Sequence, residues 1–225
     1  MIRTLALTLL LFAATSNAAI VTVEGADVSF TYDDESLYGT GNVIGNTIFF
    51  LPTEFKAEST NGMGLISVSE ALNITVEVLG SSSLVMNAFQ VAEDGDYKLT
   101  GGGASVSAIG ELTIASQMSA FSDSDAFDAG ALLTLGGPTD WSAGTTNFLN
   151  GTAGWNTDTK IIMTLSNTLS ATSLTTGELA FIEKKFEGGG VGLTIDMSPV
   201  PVPAAVWLFG SALGLLGWMR RKTSL

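Results

Sequence analysis

The chain contains no cysteine and no histidine among its 225 residues. Without cysteine it forms no disulfide, offers no thiolate nucleophile and lacks the ligands of most structural zinc sites. Without histidine, Ser-His-Asp and Cys-His catalysis and imidazole ligation are excluded. Paired carboxylates remain as catalytic groups, as in glycoside hydrolysis, but no pair is identifiable among the 22 acidic residues. We therefore predict that the protein is not an enzyme, and we name no catalytic residue.

Basic residues are also scarce, with nine against 22 acidic ones. All the acidic residues lie between Glu24 and Asp196, where only five lysines accompany them. Such a surface repels phosphate backbones, so we predict no nucleic-acid partner. Solubility is the first explanation of this charge, and binding of divalent cations or cationic polymers is the second.

The apolar residues are concentrated in two blocks, one near each end of the chain. Near the N-terminus, Arg3 precedes the apolar run Leu5–Ala14, and small residues follow at Ser16 and Ala18. This order is typical of a secretory signal peptide. We predict that residues 1–18 form the signal peptide and that cleavage falls between Ala18 and Ala19.

The second block, Val202–Met219, has 18 residues and no charge. As a helix it would rise about 27 Å, near the roughly 30 Å thickness of a bilayer core. The basic residues Arg220, Arg221 and Lys222 follow directly and would stay in the cytoplasm. The sequence thus predicts a single C-terminal transmembrane helix in contact with the lipid bilayer. In this type I topology the inner membrane anchors the chain and the domain is periplasmic.

A short proline motif overlaps the start of this block: Val200, Pro201, Val202, Pro203 and Ala204. Alternating prolines favour an extended conformation that a membrane protease can engage. The order of proline motif, apolar segment and arginine-rich end resembles the PEP-CTERM sorting signal of Gram-negative bacteria in its Val-Pro-x-Pro-Ala form. Val202 stands where that family carries glutamate.

The resemblance covers residues 199–225 and implies a partner, an inner-membrane exosortase that removes the tail. It also implies a final location at the cell surface or outside the cell, and a structural or adhesive role in exopolysaccharide or biofilm. The alternative is an exported domain that binds or cleaves carbohydrate.

Residues 19–198 read as an acidic ectodomain made of strands. Residues 27–32 and 72–78 alternate apolar and polar side chains, and Ile161, Met163 and Leu165 continue the pattern. Many short strands separated by Gly, Ser, Asn and Asp favour an all-β fold, an antiparallel β-sandwich.

Several turns are predicted between these strands. The sequence Ala-Glu-Asp-Gly at 92–95 predicts one hairpin turn, and Glu-Gly-Gly-Gly at 187–190 predicts a second. Gly101–Gly103 is expected to be a flexible turn. Gly136–Asp158 is expected to be a long loop or an irregular hairpin.

Three acidic clusters are candidate calcium sites, because calcium binds several carboxylate and carbonyl oxygens. One consists of Asp123, Asp125 and Asp128, and the others lie at 33–35 and 93–96. Solvated turns are the preferred explanation of all three clusters, and no cofactor other than calcium is a candidate.

Two tryptophans, Trp141 and Trp155, lie near Asn147, Asn150 and Asn156. Flat rings cover the C–H face of a sugar while amides bind its hydroxyls. The two rings are therefore candidate contacts for an extracellular polysaccharide, and packing in the core is the other interpretation.

Overall fold

A computed structural model describes residues 19–80, 84–149, 152–155, 158–185, 190–199, 208–209 and 211–214. The described residues form thirteen β-strands. They are β1 (Ile20–Glu24), β2 (Val28–Asp33), β3 (Gly41–Ile44), β4 (Thr47–Phe50), β5 (Lys56–Thr60), β6 (Gly64–Val78), β7 (Leu84–Thr100), β8 (Ser105–Ser116), β9 (Ser122–Asp128), β10 (Thr139–Phe148), β11 (Lys160–Ser173), β12 (Leu179–Lys184) and β13 (Val191–Pro199). All their pairings are antiparallel, which confirms the predicted all-β class.

Sheet one has the strand order β1-β2-β6-β11-β8-β9. Its long strands alternate strictly: every second residue of β11 is buried, from Ile161 to Ser173. This period of two is the reason why the segment folds as a strand with one apolar face. The predicted strands at 27–32, at 72–78 and around Ile161 are confirmed within β2, β6 and β11.

Sheet two is arranged around β7. On β7, residues 84–93 pair with β13, residues 95–100 with β12 and residues 88–97 with β10. Because one edge of a strand holds one partner at each position, β10 occupies one edge and β12 and β13 lie end to end along the other. β4 extends the sheet beyond β13, β3 beyond β4, and β5 beyond β12.

The inward faces of the two sheets form one hydrophobic core. Its largest fully buried members are Tyr38, Phe30, Phe50, Phe55, Phe89, Ile48, Leu72, Ile74, Met86, Leu99, Leu112 and Ile114. Three edge-to-face ring pairs connect Tyr32, Tyr38, Phe50 and Phe55, with centroids 5.2–6.0 Å apart. Burial of these side chains is the main force that holds the two sheets together.

Both predicted hairpin turns are wrong. Residues 92–95 lie inside the continuous strand β7, because Glu93 faces the core and finds a buried partner there. The second prediction fails because β12 and β13 both run antiparallel to β7 and are therefore parallel to each other. Residues 186–189 lie outside the described part of the chain.

The segment Gly136–Asp158, predicted to be a loop or irregular hairpin, contains a regular strand. β10 pairs with β7 over ten residues, from Thr139 to Phe148. Its polar composition hides this strand, because mainly Trp141 and Asn147 turn towards the interior. The turn at Gly101–Gly103 is confirmed and connects β7 to β8.

The prediction of a C-terminal transmembrane helix is wrong for the residues that the structure describes. None of their helices is long and apolar enough to cross a membrane. In this region only residues 208–209 and 211–214 are described, and they are helical.

The predicted targeting elements lie outside the described residues. These are residues 1–18 with Ala18 of the cleavage point, the motif Val200, Pro201, Val202, Pro203 and Ala204, and the basic end Arg220, Arg221 and Lys222. Ala19 is described and precedes β1 directly. β13 continues to Pro199, which pairs with Leu84, so the last strand reaches one residue beyond the predicted domain end at 198.

Candidate functional site: a buried lysine–carboxylate–amide cluster

Four polar side chains meet in the middle of the core. Lys184 comes from β12, Glu93 from β7, Asn167 from β11 and Tyr38 from the connection between β2 and β3. None of the four is more than 3% exposed. We call this group the buried polar cluster. Lysine and glutamate are almost never fully buried unless they are paired. The burial of both in one cluster therefore makes it the candidate site.

The hydrogen bonds of the cluster form a closed triangle with one extension. The Lys184 ammonium donates to Glu93 Oε2 in a very short contact and to Asn167 Oδ1 at 3.2 Å. The Asn167 amide donates to Glu93 Oε1 at 2.6 Å and to the Tyr38 hydroxyl at 2.9 Å. One carboxylate therefore contacts both the amine and the amide nitrogen.

Two glycines create the space in which the cluster lies. In sheet two, Gly95 pairs with both Trp141 and Lys184, and a Cβ on Gly95 would lie 2.6 Å from the Trp141 ring. In sheet one, Gly110 pairs with both Phe127 and Asn167, and a Cβ there would lie 2.8 Å from Asn167 Oδ1. Because each glycine has no side chain, the aromatic ring on the neighbouring strand can lie above it, next to the polar residue on its other side.

The surroundings of Lys184 are otherwise aromatic. Its ammonium lies 5.4 Å from the ring centroids of both Phe55 and Trp141, within cation–π range. Burial lowers the pKa of Lys184, and the Glu93 carboxylate opposes that shift. Burial, followed by the charge of Glu93, raises the pKa of Tyr38, which stays protonated.

This arrangement can transfer a proton. Glu93 is placed to accept a proton from Lys184 through one oxygen and to deliver a proton to Asn167 through the other. No sequence motif marks the four residues of the buried polar cluster. The isolated glycines inside β7 and β8 were the available signal, since glycine in a strand interior often indicates close approach.

The candidate calcium residues lie on β9 at the seam between the sheets. Asp125 Oδ2 accepts a hydrogen bond from the Thr145 hydroxyl at 2.6 Å, and Asp123 Oδ2 accepts one from Asn147 at 3.2 Å. Asp128 faces the opposite side and accepts from Gly130 N at 2.6 Å. The structure thus brings Asp123 and Asp125 to one face and separates Asp128 from them. No group of three metal-ligating side chains occurs among the described residues.

The other two acidic clusters, at 33–35 and 93–96, have different local structures. Asp33 accepts a hydrogen bond from Glu35 N at 3.0 Å, as in a local turn after β2. In β7 Glu93 faces inwards, whereas Asp94 and Asp96 face the other side of the sheet. Asp96 is only 5% exposed and accepts from the Lys185 ammonium at 2.9 Å.

The two candidate sugar-binding tryptophans occupy packing positions. Trp141 is 4% exposed and donates its indole N–H to Glu183 O at 3.1 Å. Trp155 is half-buried, donates to Met86 O at 3.2 Å and meets Phe89 and Phe121 edge to face. Asn147 is buried, while Asn150 and Asn156 lie outside the described residues.

The outer face of sheet one carries small hydroxyl side chains in facing pairs. Ser67 bonds Ser170, and Ser69 bonds Thr168, both at 2.8 Å. A groove of about 730 Å³ opens on this sheet across β6, β11, β8 and β9. Residues that line it include Ser69, Ile109, Glu111, Ala126, Asp128 and Thr168.

Comparisons with known proteins give no family. No protein-family model matches the chain. No curated protein matches it either. Among solved structures, two of infectious bursal disease virus and one of TmCBM61 align with the chain. The structure of the Gt strain matches at 10% identity and TM-score 0.25, covering 70% of this chain and 40% of that chain.

The Gx strain matches at 11% identity and TM-score 0.25, covering 71% of this chain and 42% of that chain. TmCBM61 in complex with beta-1,4-galactotriose matches at 11% identity and TM-score 0.20, covering 63% of this chain and 88% of that chain. The chain therefore spans about two fifths of the viral chains. Similarity at this level supports no conclusion about fold or function.

Proposed function

We propose that this chain is an exported protein of the cell surface or extracellular matrix. A membrane exosortase sorts it through residues 199–225, and its domain has a non-catalytic, structural or adhesive role in exopolysaccharide or biofilm. The support for sorting is the tail itself, in which Val-Pro-Val-Pro-Ala at 200–204 is followed by an uncharged stretch and by Arg220, Arg221 and Lys222.

The observation that carries the structural role is the outer face of sheet one. Its facing hydroxyls, such as Ser67 with Ser170 and Ser69 with Thr168, form a layer of short polar side chains. Short hydroxyl side chains lose little conformational entropy when they order, and they exchange hydrogen bonds readily with water or polymer hydroxyls. Such a surface suits a protein embedded in a hydrated polysaccharide.

Intact mass of the protein recovered from cells tests the sorting. In wild-type cells we expect a chain that begins at Ala19 and lacks most of the tail. In cells without the exosortase we expect a chain that ends at Leu225. The variant carrying both Pro201→Ala and Pro203→Ala should remain unprocessed, whereas Pro138→Ala, outside the tail, should be processed normally. A wild-type mass that retains residues 206–225 would contradict sorting.

The second candidate function is binding of carbohydrate in the groove on sheet one. The groove combines hydroxyls, the carboxylates of Glu111 and Asp128, and the 52% exposed side chain of Ile109. Hydroxyl and carboxylate groups hydrogen-bond sugar hydroxyls, while an apolar contact covers the C–H face.

Binding to the host's own exopolysaccharide separates this alternative from a passive structural role. The variant carrying Ile109→Ala and Glu111→Gln should bind at least tenfold more weakly than the parent if the groove is the site. Leu65→Ala changes a similarly exposed apolar residue on the same outer face of sheet one but outside the groove, and it is the matched control. Equal binding by all three proteins would exclude the groove.

A further inference from the structure

The buried polar cluster places a nucleophile, an acyl group and a proton carrier together. Lys184 Nζ lies 3.2 Å from Asn167 Oδ1. Because a C=O bond is about 1.23 Å long, Nζ lies at most about 4.4 Å from the amide carbon Cγ. Nucleophilic attack needs an approach to about 3–3.5 Å, so a small side-chain adjustment is enough.

Glu93 contacts both reacting residues at once. Its Oε2 accepts from the Lys184 ammonium, and its Oε1 lies 2.6 Å from Asn167 Nδ2. Lysine attacks as the neutral amine, and a carboxylate at this position is the base that produces it. The same carboxyl group, once protonated, faces the nitrogen that would have to leave.

The environment favours the neutral amine and excludes water. Lys184 and Glu93 have side chains that are 0% and 1% exposed, and Phe55 and Trp141 flank the ammonium. Burial lowers the pKa of Lys184 and so reduces the cost of deprotonation. The low exposure of both charged groups limits competition from water during the reaction.

We propose that Lys184 and Asn167 become joined by an intramolecular isopeptide bond, formed within the folded domain with Glu93 as the proton carrier. The bond connects β12 of sheet two to β11 of sheet one through the core. It goes beyond the proposed function, because it concerns chemistry that the domain performs on itself once.

The reaction balances without any oxidant or co-reactant. Glu93 Oε2 takes one proton from the Lys184 ammonium, and the resulting amine attacks Asn167 Cγ to form the new C–N bond. The Asn167 Cγ–Nδ2 bond then breaks as Nδ2 receives protons through Glu93. The products are an Nζ–Cγ amide, a Glu93 carboxylate as at the start, and one ammonium ion. Well-oriented intramolecular reactions reach effective concentrations of about 10⁵–10⁸ M, which is why positioning alone can drive this step.

The expected product can be read directly from the full-length purified protein. Its intact mass should be smaller by one ammonia. Trypsin cleaves after free lysine only, and the basic residues around the site are Lys160, Lys184 and Lys185. The bonded protein should therefore give one peptide spanning 161–185, lighter by one ammonia, with no fragment ions that separate residue 167 from residue 184. The unbonded protein should give a peptide that ends at Lys184.

Three variants localise the chemistry. Glu93→Gln keeps the shape of the side chain but removes the base. This variant should show no mass loss of ammonia, and trypsin should release the peptide ending at Lys184. Asn167→Asp should still form the bond, now with loss of water instead of ammonia. Asn73→Asp is the control, because Asn73 lies on the outer face and bonds Thr164 at 2.7 Å; it should leave the bond intact.

The result that would overturn the proposal is a wild-type protein that unfolds cooperatively yet yields an unmodified peptide ending at Lys184. The cluster would then be a non-covalent ion pair with an amide neighbour. If Glu93→Gln does not fold, Asn167→Asp still decides, since water loss within 161–185 supports the bond and its absence contradicts it. Failure of sorting changes the mass at the chain ends and is therefore distinguishable.

Discussion

Glu93 and Asp125 are carboxylates in two similar acidic stretches, and they reach opposite environments. Glu93 lies in the centre of the core, where it contacts Lys184 and Asn167. Asp125 lies at the seam between the sheets, half-buried, and accepts one hydroxyl hydrogen bond from Thr145. Local composition is similar in both stretches, so the difference comes from which face of its strand each carboxylate occupies and what lies opposite.

In this protein the buried charge depends on a partner distant in sequence. Glu93 and Lys184 are 91 residues apart, whereas Asp125 and Thr145 are 20 apart. A carboxylate at a wet seam needs little more than one donor. A carboxylate in the core needs every lone pair satisfied, because an unpaired buried charge is strongly destabilising.

The largest effect is expected from Glu93→Ala, which removes the proton carrier of the proposed bond and leaves Lys184 buried, unbonded and without its carboxylate. Removing one partner of a buried ion pair typically costs about 3–5 kcal/mol of unfolding free energy. Urea denaturation of the variant and the parent measures the difference. Lys56→Ala, which removes an exposed ion pair with Glu54, is the control and should cost about 1 kcal/mol or less. A loss below 1 kcal/mol for Glu93→Ala would contradict the role given to the cluster.

Gly95→Ala should have the next largest effect. The added Cβ meets the Trp141 ring and the backbone oxygen of Glu183, so the ring must move away from Lys184. Overpacking of this kind costs about 1–3 kcal/mol. Trp fluorescence measures the displacement of the Trp141 ring, and the thermal midpoint measures the loss of stability. Gly102→Ala, at a position with open space, is the matched control; equal stability of both variants would show that the close approach is not needed.

Asp125→Ala removes a seam hydrogen bond and should cost about 1 kcal/mol. Thermal unfolding measures this loss, and Ser124→Ala on the exposed face of the same strand should be nearly neutral. Thermal unfolding of the parent and of Asp125→Ala in millimolar calcium tests the metal hypothesis. A rise in the midpoint of the parent but not of Asp125→Ala would establish a cation site at the seam instead of a purely structural contact.

Glu178 gives the smallest and most pH-dependent effect. Backbone N–H groups of Thr175 and Leu174 hold the pKa of this carboxyl below its ordinary value, and Gly103 N contributes as well. A lowered folded-state pKa means that the stabilisation is present above the ordinary pKa and is lost as the pH falls through the folded value. The stability difference between the parent and Glu178→Gln should therefore shrink on acidification from pH 6 to pH 3. A constant difference would contradict this linkage.

The alternation of apolar and polar residues was enough to predict the all-β class. Strands such as β11 carry their own pattern, because one face packs on the core and the other meets solvent. The continuity of β7 was not predictable in this way. Ala-Glu-Asp-Gly at 92–95 has the composition of a turn, and Glu93 is acceptable in the interior because Lys184 and Asn167 from other strands contact it.

The candidate site was less predictable than the fold. Acidic clusters and tryptophans attract attention by type, yet Trp141 and Asp123 owe their positions to packing and to a neighbouring strand. The residues that do converge, Asn167 and Lys184, carry no motif, since their meeting depends on the register of β11 and β12. Gly95 and Gly110 were the one local indication, because a glycine inside a strand needs a reason that lies outside it.

The end-to-end course of β12 and β13 along β7 has a mechanical consequence. The nine residues of β13 pair with β7 up to Pro199, immediately before the proposed sorting motif, with one register shift between Asp196 and Met197. Tension applied to the chain beyond Pro199, along the strand axis, would load the hydrogen bonds between β13 and β7 in shear at the same time. They would not open one by one. A domain connected in this way resists being pulled from its attachment point far better than it would if the final strand could be peeled from an end.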